Sequence, residues 1–179
     1  MAETSLRERR LRNEQSFLEM LLSLNAGRLE LIGNWKKTAT GDEVQLRLCD
    51  SPAYLLNGTV TRDHILRIVL PEYFPSTPTE GWLGVPVLHP NVHPVNGFIC
   101  LWAKHSPGDT IVETLLQTQR VISWQLFNLN PEHVMQPSLD PHPPLHYEPL
   151  IVPESYWVEK THAERRNANP RRRLSPLPD

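Results

Sequence analysis

The chain has 179 residues, a formal net charge of −2 and only two cysteines, Cys49 and Cys100. This length fits one domain with a tail, and the small negative charge argues against a general nucleic-acid-binding surface. Two cysteines are too few for a disulfide framework, the N-terminus lacks a signal-peptide core, and no apolar run reaches the ~18 residues that cross a bilayer. We therefore expect a cytoplasmic protein that binds neither nucleic acid nor membrane.

The first predicted element is a helix from about Ser5 to Asn25. Ser5 and Glu8 have capping-box spacing, and Gly27 provides a stop signal. Leucines recur at helical spacing on one face, at Leu11, Leu18, Leu21 and Leu22. The opposite face carries arginines that are interpreted first as a solvated surface, namely Arg7, Arg9, Arg10 and Arg12.

Downstream of this helix the apolar period changes to two, which predicts antiparallel strands. A first hairpin turns between Thr38 and Asp42. A third strand spans roughly Thr59 to Leu70, and Pro71 ends it because proline cannot donate a hydrogen bond to a ladder. A fourth, short strand is expected between Thr79 and Leu88.

A second strong helix begins after Asp109. Thr110 and Glu113 form another capping-box pattern, and a broad apolar face predicts about five turns ending near Asn128. Asn130-Pro131 then prevents the helix from continuing.

The C-terminal part is rich in proline between residues 137 and 153. One helix is expected there, from about Ser155 to Arg166. The tail from Pro170 has the composition of a disordered or partner-dependent segment. Its run Arg171 to Arg173 is interpreted as solvated, with contact to an acidic partner as the alternative.

The stretch from His89 to Leu101 reads His-Pro-Asn-Val-His-Pro-Val-Asn-Gly-Phe-Ile-Cys-Leu. Polar residues precede Cys100 and a helix start follows it, which favours an exposed-loop thiol that acts as a nucleophile. Asn91 can donate its amide N–H without titrating, which suits stabilisation of an oxyanion. The alternative for Asn91 is a turn-forming side chain. Cys49 has no such polar cluster beside it and is interpreted as a core residue.

At this stretch the chain resembles the ubiquitin-conjugating (E2) family. The matching motifs are His89-Pro90-Asn91, Gly97-Phe98-Ile99-Cys100-Leu101 and Ser106-Pro107, with looser matches at Ser51-Pro52-x-Tyr54 and Tyr73-Phe74-Pro75-x-x-Pro78. The resemblance implies an α+β fold of the E2 type. That fold has an N-terminal helix, a four-stranded antiparallel meander and a central helix packed on the sheet. Residues 1–150 would form the catalytic domain and residues 151–179 a C-terminal extension.

The resemblance also implies an activity without a cofactor. Cys100 would carry a ubiquitin-like protein as a thioester and pass it to a lysine of a protein substrate. Asn91 would stabilise the oxyanion, His89 and Pro90 would be structural, and Glu132 or His133 would orient or deprotonate the lysine. The partners are an E1-like activating enzyme, a ubiquitin-like protein and the substrate. In this family the first helix meets the activating enzyme, which gives a second interpretation of Arg7, Arg9, Arg10 and Arg12.

The spacing departs from the commonest E2 pattern. The loop from Asn91 to Cys100 is one residue longer, and the segment from Cys100 to Ser106 is about three residues shorter. These changes suggest a divergent branch, similar to the bacterial E2-like proteins of ubiquitin-like conjugation operons that often serve phage defence.

Three other functions compete with this one. A cysteine hydrolase would pair Cys100 with a distant histidine such as His133, with Asn91 or Asp140 orienting the ring. A zinc site would use His89, His93, Cys100 and His105, although their spacing matches no closed zinc motif. A non-catalytic E2-like binding module would lack the cysteine, which is present here.

Overall fold

The computed structural model describes residues 5–102 and 104–168, and it is an α+β protein with three helices and a mostly antiparallel sheet. Among these residues, no helix combines the length and the apolar character needed to cross a membrane. The elements in chain order are α1 (Leu6–Leu24), β1 (Leu29–Lys37), β2 (Gly41–Leu48), β3 (Ala53–Tyr54), β4 (Val60–Thr61), β5 (His64–Pro71), β6 (Glu80–Leu83), β7 (Phe98–Ile99), α2 (Ile111–Ile122) and α3 (Glu154–Ala168).

The main sheet has the strand order β1-β2-β5-β6-β7, with every neighbouring pair antiparallel. The predicted four-stranded meander is present as β1, β2, β5 and β6. A fifth strand, β7, pairs Ile99 with Gly81 and Phe98 with Trp82. Because β7 immediately precedes Cys100, the edge of the sheet fixes where the thiol lies.

The predicted third strand, from Thr59 to Leu70, is wrong as one element. Its first part, β4, pairs with β3 in a separate two-stranded sheet, and only β5 joins the main sheet. The interruption lies at Arg62 and Asp63. Two hydrogen bonds to Ser51 stabilise the chain at this interruption. The backbone N–H of Ser51 donates to the carbonyl of Arg62, and the His64 ring bonds the Ser51 carbonyl. Long-range contacts of this kind leave no trace in the period-two pattern.

Helix α2 shares one hydrophobic core with the sheet. Its buried residues Ile111, Leu115 and Ile122 belong to the same cluster as Leu46 and Leu66 of the strands. The predicted capping boxes of both long helices are confirmed, with Ser5 and Glu8 at α1 and Thr110 and Glu113 at α2. Both boxes satisfy the first free N–H groups of their helices.

The predicted end of α2 near Asn128 is wrong, because the helix stops at Ile122. Trp124 has a φ of 61°, which is left-handed and incompatible with a continuing helix. The indole N–H of Trp124 donates to the Leu88 carbonyl at 2.7 Å, and the ring meets the His89 ring edge-on. This tertiary contact overrides an apolar pattern that continues to Leu126.

Glu14 lies on the apolar face of α1 and is fully buried. Its carboxylate accepts from the backbone N–H of Ile111 at 2.7 Å, at the start of α2, and it pairs with Arg10 at 2.8 Å. A carboxylate at a helix N-terminus is favoured by the helix dipole. The pair therefore ties α1 to the beginning of α2.

The four α1 arginines are not equivalent. Arg7 pairs with Asp42 at 2.6 Å and Arg10 with Glu14, so both have partners within the chain. Arg9 and Arg12 are exposed.

The C-terminal segment packs against the rest of the protein. Leu150 and Tyr156 both belong to the main core, so residues on each side of position 150 share it. The Tyr156 hydroxyl lies 2.7 Å from the side chains of both Thr110 and Glu113. The predicted third helix is present as α3, two residues longer at its C-terminal end. The predicted tail from Pro170, with Arg171 to Arg173, lies outside the described residues.

Glu14 should make stability depend on pH. Burial raises its pKa from 4.5 to about 7, against the opposing effect of Arg10. Between these values the unfolded chain is ionised while the folded protein keeps the proton, so stability falls as the pH rises. The linked loss of free energy of unfolding is on the order of 3 kcal/mol from about pH 4 to about pH 8.

Chemical denaturation should show this loss as a difference between two proteins: the stability of the wild type relative to Glu14→Gln should fall as the pH rises, because other titrating groups such as His89 contribute equally to both. Glu19→Gln is the matched control, because Glu19 is an exposed glutamate of the same helix. Equal pH slopes in the wild type and Glu14→Gln would contradict the prediction.

Candidate active site

The backbone of Cys100 is bonded to Asn91, the residue that begins the loop before it. Its backbone N–H donates to the Asn91 carbonyl at 2.8 Å, and an isolated bridge joins Val92 to Ile99. The side chain is half-buried. Burial raises the pKa of the Cys100 thiol, while a hydrogen bond from the Trp102 backbone lowers it by less. The thiol is therefore protonated at neutral pH and needs a proton acceptor to act as a nucleophile.

A histidine from a distant part of the chain provides a candidate acceptor. The Nδ1 atom of His133 lies 3.1 Å from Sγ of Cys100. With the thiol protonated, S–H donates and Nδ1 accepts, which assigns the ring hydrogen to Nε2. His133 lies in the turn after Asn130, where its backbone N–H donates to the Asn130 carbonyl.

Asn91 connects the cysteine loop to the segment that follows α2. It is 2% exposed, and its Nδ2 donates to the carbonyls of Asn128 at 2.7 Å and His133 at 3.0 Å. Its Oδ1 accepts from the backbone N–H of Asn128 at 2.7 Å. Both hydrogens of Nδ2 are thus engaged, so donation to an oxyanion requires one of these bonds to open. Sequence reasoning missed this tie between the two loops.

His89 and Pro90 contact the same segment. His89 is fully buried, its Nδ1 accepts from the Asn91 backbone, and its Nε2 donates to the Leu126 carbonyl. Burial lowers the pKa of His89 to about 4, so the ring is neutral at physiological pH. The Pro90 carbonyl accepts from the Met135 backbone at 2.7 Å. All three residues of the His-Pro-Asn motif therefore organise residues 126–135.

Glu132 and Asp140 take no part in this arrangement. Both are exposed, and within the described part of the chain neither side chain makes a hydrogen bond or an ion pair. Of the two residues expected to activate a lysine, the structure brings only His133 to the sulfur.

The four residues of the zinc hypothesis have other partners. His93 Nδ1 accepts from its own loop, and His105 Nε2 bonds the Pro75 carbonyl. Across residues 5–102 and 104–168, no group of three or more histidine, cysteine or acidic side chains is placed to hold a metal ion. Cys49 is half-buried, and burial together with Asp63 raises the pKa of its thiol.

No protein-family model matches the chain, and no curated protein matches it either. Any functional assignment therefore depends on the motif and on the geometry of Cys100, Asn91 and His133.

Replacing Asn91 by alanine should destabilise the protein. The change removes three hydrogen bonds and leaves part-buried backbone groups of Asn128 and His133 without these partners, which we expect to lower the free energy of unfolding by about 3 kcal/mol. Urea denaturation measures this difference. Asn96→Ala is the control, because Asn96 is exposed and accepts one bond from Phe98. Its expected loss is at most about 1 kcal/mol, and a similar loss for both variants would contradict the role given to Asn91.

Proposed function

We propose that the protein is an E2-like conjugating enzyme that carries a ubiquitin-like protein on Cys100. The observation that carries the proposal is the arrangement of the His-Pro-Asn motif. Its three residues join the cysteine loop to the segment after α2, beside a thiol at the edge of an antiparallel sheet. The α+β architecture is compatible with an E2-type fold.

The reaction has two acyl transfers. Cys100 attacks the thioester between the modifier and the activating enzyme, which forms a new thioester on Sγ and releases the enzyme's thiol. A lysine amine of the substrate then attacks the same carbonyl, an amide forms, and the Cys100 sulfur leaves and regains a proton. His133 lies beside the sulfur and is placed to accept a proton from the incoming amine. Asn91 would stabilise the oxyanion after one of its loop bonds opens.

The partners are an E1-like activating enzyme, a ubiquitin-like protein and a protein substrate. On α1, Arg9 and Arg12 are exposed and free to meet the activating enzyme, whereas Arg7 and Arg10 already bond within the chain. The shortened segment between Cys100 and Ser106 favours a divergent branch of the family, of the bacterial antiviral kind.

The contact of Cys100 with His133 favours one alternative, a cysteine hydrolase. A thiol 3.1 Å from an imidazole is the arrangement that cysteine hydrolases use. The two functions differ in their requirements, because a hydrolase cleaves an amide or ester without ATP or an activating enzyme.

The wild-type protein should form a covalent adduct when mixed with its activating enzyme, ubiquitin-like protein and ATP. On a non-reducing gel we expect a band that dithiothreitol removes, and in Cys100→Ser a band that resists dithiothreitol, because an oxyester is not cleaved by thiols. Cys49→Ser is the control and should load like the wild type. Absence of any thiol-sensitive band would reject the conjugating function. Cleavage of a modifier–coumarin amide without ATP would favour the hydrolase.

Asn91→Ala should separate an oxyanion role from a positioning role. If Asn91 stabilises the oxyanion formed when the lysine attacks, discharge to free lysine slows about 10²-fold, whereas loading slows only as far as the lost bond to His133 disturbs that residue. Single-turnover discharge measures this rate. An equal slowing of loading and discharge would show that Asn91 acts only by holding the loops.

A further inference from the structure

We propose that His133 is the base that takes the proton of the Cys100 thiol when the cysteine attacks. For the conjugating reaction the sequence suggested His133 only as a group for the incoming lysine, and it paired His133 with Cys100 only under the cysteine-hydrolase alternative. The proposal therefore gives His133 a role in an earlier step of conjugation. The donor thioester in that step rests on the proposed function, but the proton transfer itself does not.

The first argument is the state of the thiol. Cys100 is half-buried, and burial raises the pKa of its thiol by more than the hydrogen bond from the Trp102 backbone lowers it, so the protonated form is favoured. Thiolate is the reactive nucleophile, so attack requires the proton to leave. The described residues place one titratable side chain within hydrogen-bonding distance of Sγ, and it is His133 at 3.1 Å. A base must lie within hydrogen-bond reach of the proton that it removes.

The second argument is the absence of a competing acceptor among the described side chains. His89 is turned toward the Leu126 carbonyl, and His93 bonds its own loop. Glu132 and Lys104 are exposed, and no ion pair of the described residues includes Cys100, His133 or either of these two. Among the described side chains, His133 is therefore the one placed to take the proton of Sγ, through its Nδ1 atom.

The third argument is that the base is held in place. The carbonyl of His133 accepts from Asn91, and its N–H donates to Asn130. Two residues further along, Met135 bonds Pro90. The backbone on both sides of His133 is thus fixed relative to the cysteine loop, which keeps the donor and acceptor aligned before the substrate arrives.

The step balances without another reactant. The S–H bond breaks as the S–C bond to the donor carbonyl forms, and the proton moves to Nδ1. When the tetrahedral intermediate collapses, the departing thiolate of the donor takes this proton. His133 returns to its neutral form, ready for the second transfer.

Alkylation of the thiol tests the proposal without any conjugation partner. In a Cys49→Ser background Cys100 is the single thiol, and its reaction with iodoacetamide is followed by mass spectrometry as a function of pH. His133→Asn keeps a hydrogen-bonding group near the position of Nδ1 but cannot titrate. We expect at least tenfold slower alkylation at neutral pH in this variant, since positioned bases contribute roughly 10²–10⁴ in rate.

The pH profile separates a chemical role from a structural one. With His133 the rate at neutral pH should exceed the rate that ionisation of the thiol alone supports, and His133→Asn should retain only the rise that follows thiol ionisation. His93→Asn is the matched control, because Asn preserves an acceptor for the His93 loop bonds, and its profile should equal that of the wild type.

Identical profiles for the wild type and His133→Asn would overturn the proposal, even if a thioester forms. Conversely, a slowed His133→Asn profile with no thioester in the loading assay would retain the base and reject only the conjugating function. Thermal unfolding of His133→Asn should match the wild type; a lowered midpoint together with an unchanged alkylation profile would also overturn the proposal.

Discussion

The site depends on the three hydrogen bonds of the Asn91 amide. They connect two segments that lie about 37 residues apart in the chain, and one of them ends on the carbonyl of His133 itself. A side chain that donates twice and accepts once fixes both the distance and the rotation of the segment that it binds. The imidazole meets the sulfur because the backbone of each is bonded to Asn91, His133 through the side chain and Cys100 through the carbonyl.

The hydrogen bonds between Asn91 and the segment after α2 require the chain to turn back directly after this helix. Trp124 makes the turn in a left-handed conformation, which costs about 1–2 kcal/mol for a residue other than glycine. Burial of its ring and the bond from its indole to Leu88 offset this cost. If α2 continued to Asn128, the chain would not turn back at Trp124 and would not bring the carbonyls of Leu126 and Asn128 to His89 and Asn91. The early helix end and the His-Pro-Asn motif are therefore parts of one arrangement.

Local signals in the sequence predicted the elements better than their ends or contacts. Both capping boxes are formed by residues three apart, so a short window contains all the necessary information. The end of α2 depends instead on Leu88 and His89, and the break before His64 depends on Ser51. The choice of Cys100 and Asn91 as candidate site residues followed from the motif. The approach of His133 to the sulfur was expected only under the cysteine-hydrolase alternative, because nothing near residue 133 in the sequence indicates which thiol it will meet.

The proline-rich segment shows how a chain with few regular elements still completes a core. Backbone N–H groups of this segment donate to side chains of other parts of the chain. The N–H of Leu150 donates to the Gln119 side chain, and the N–H of Ile151 donates to the Asn25 side chain. Arg28 donates to the carbonyls of the same segment, at Glu148 and Pro149. Tyr156 then places its ring against Phe17 and its hydroxyl at the first turn of α2. The segment therefore secures α2 from the side of its N-terminus, while the His-Pro-Asn motif secures the chain beyond its C-terminus. With both ends of the helix held, the C-terminal segment is a structural part of the domain that presents Cys100.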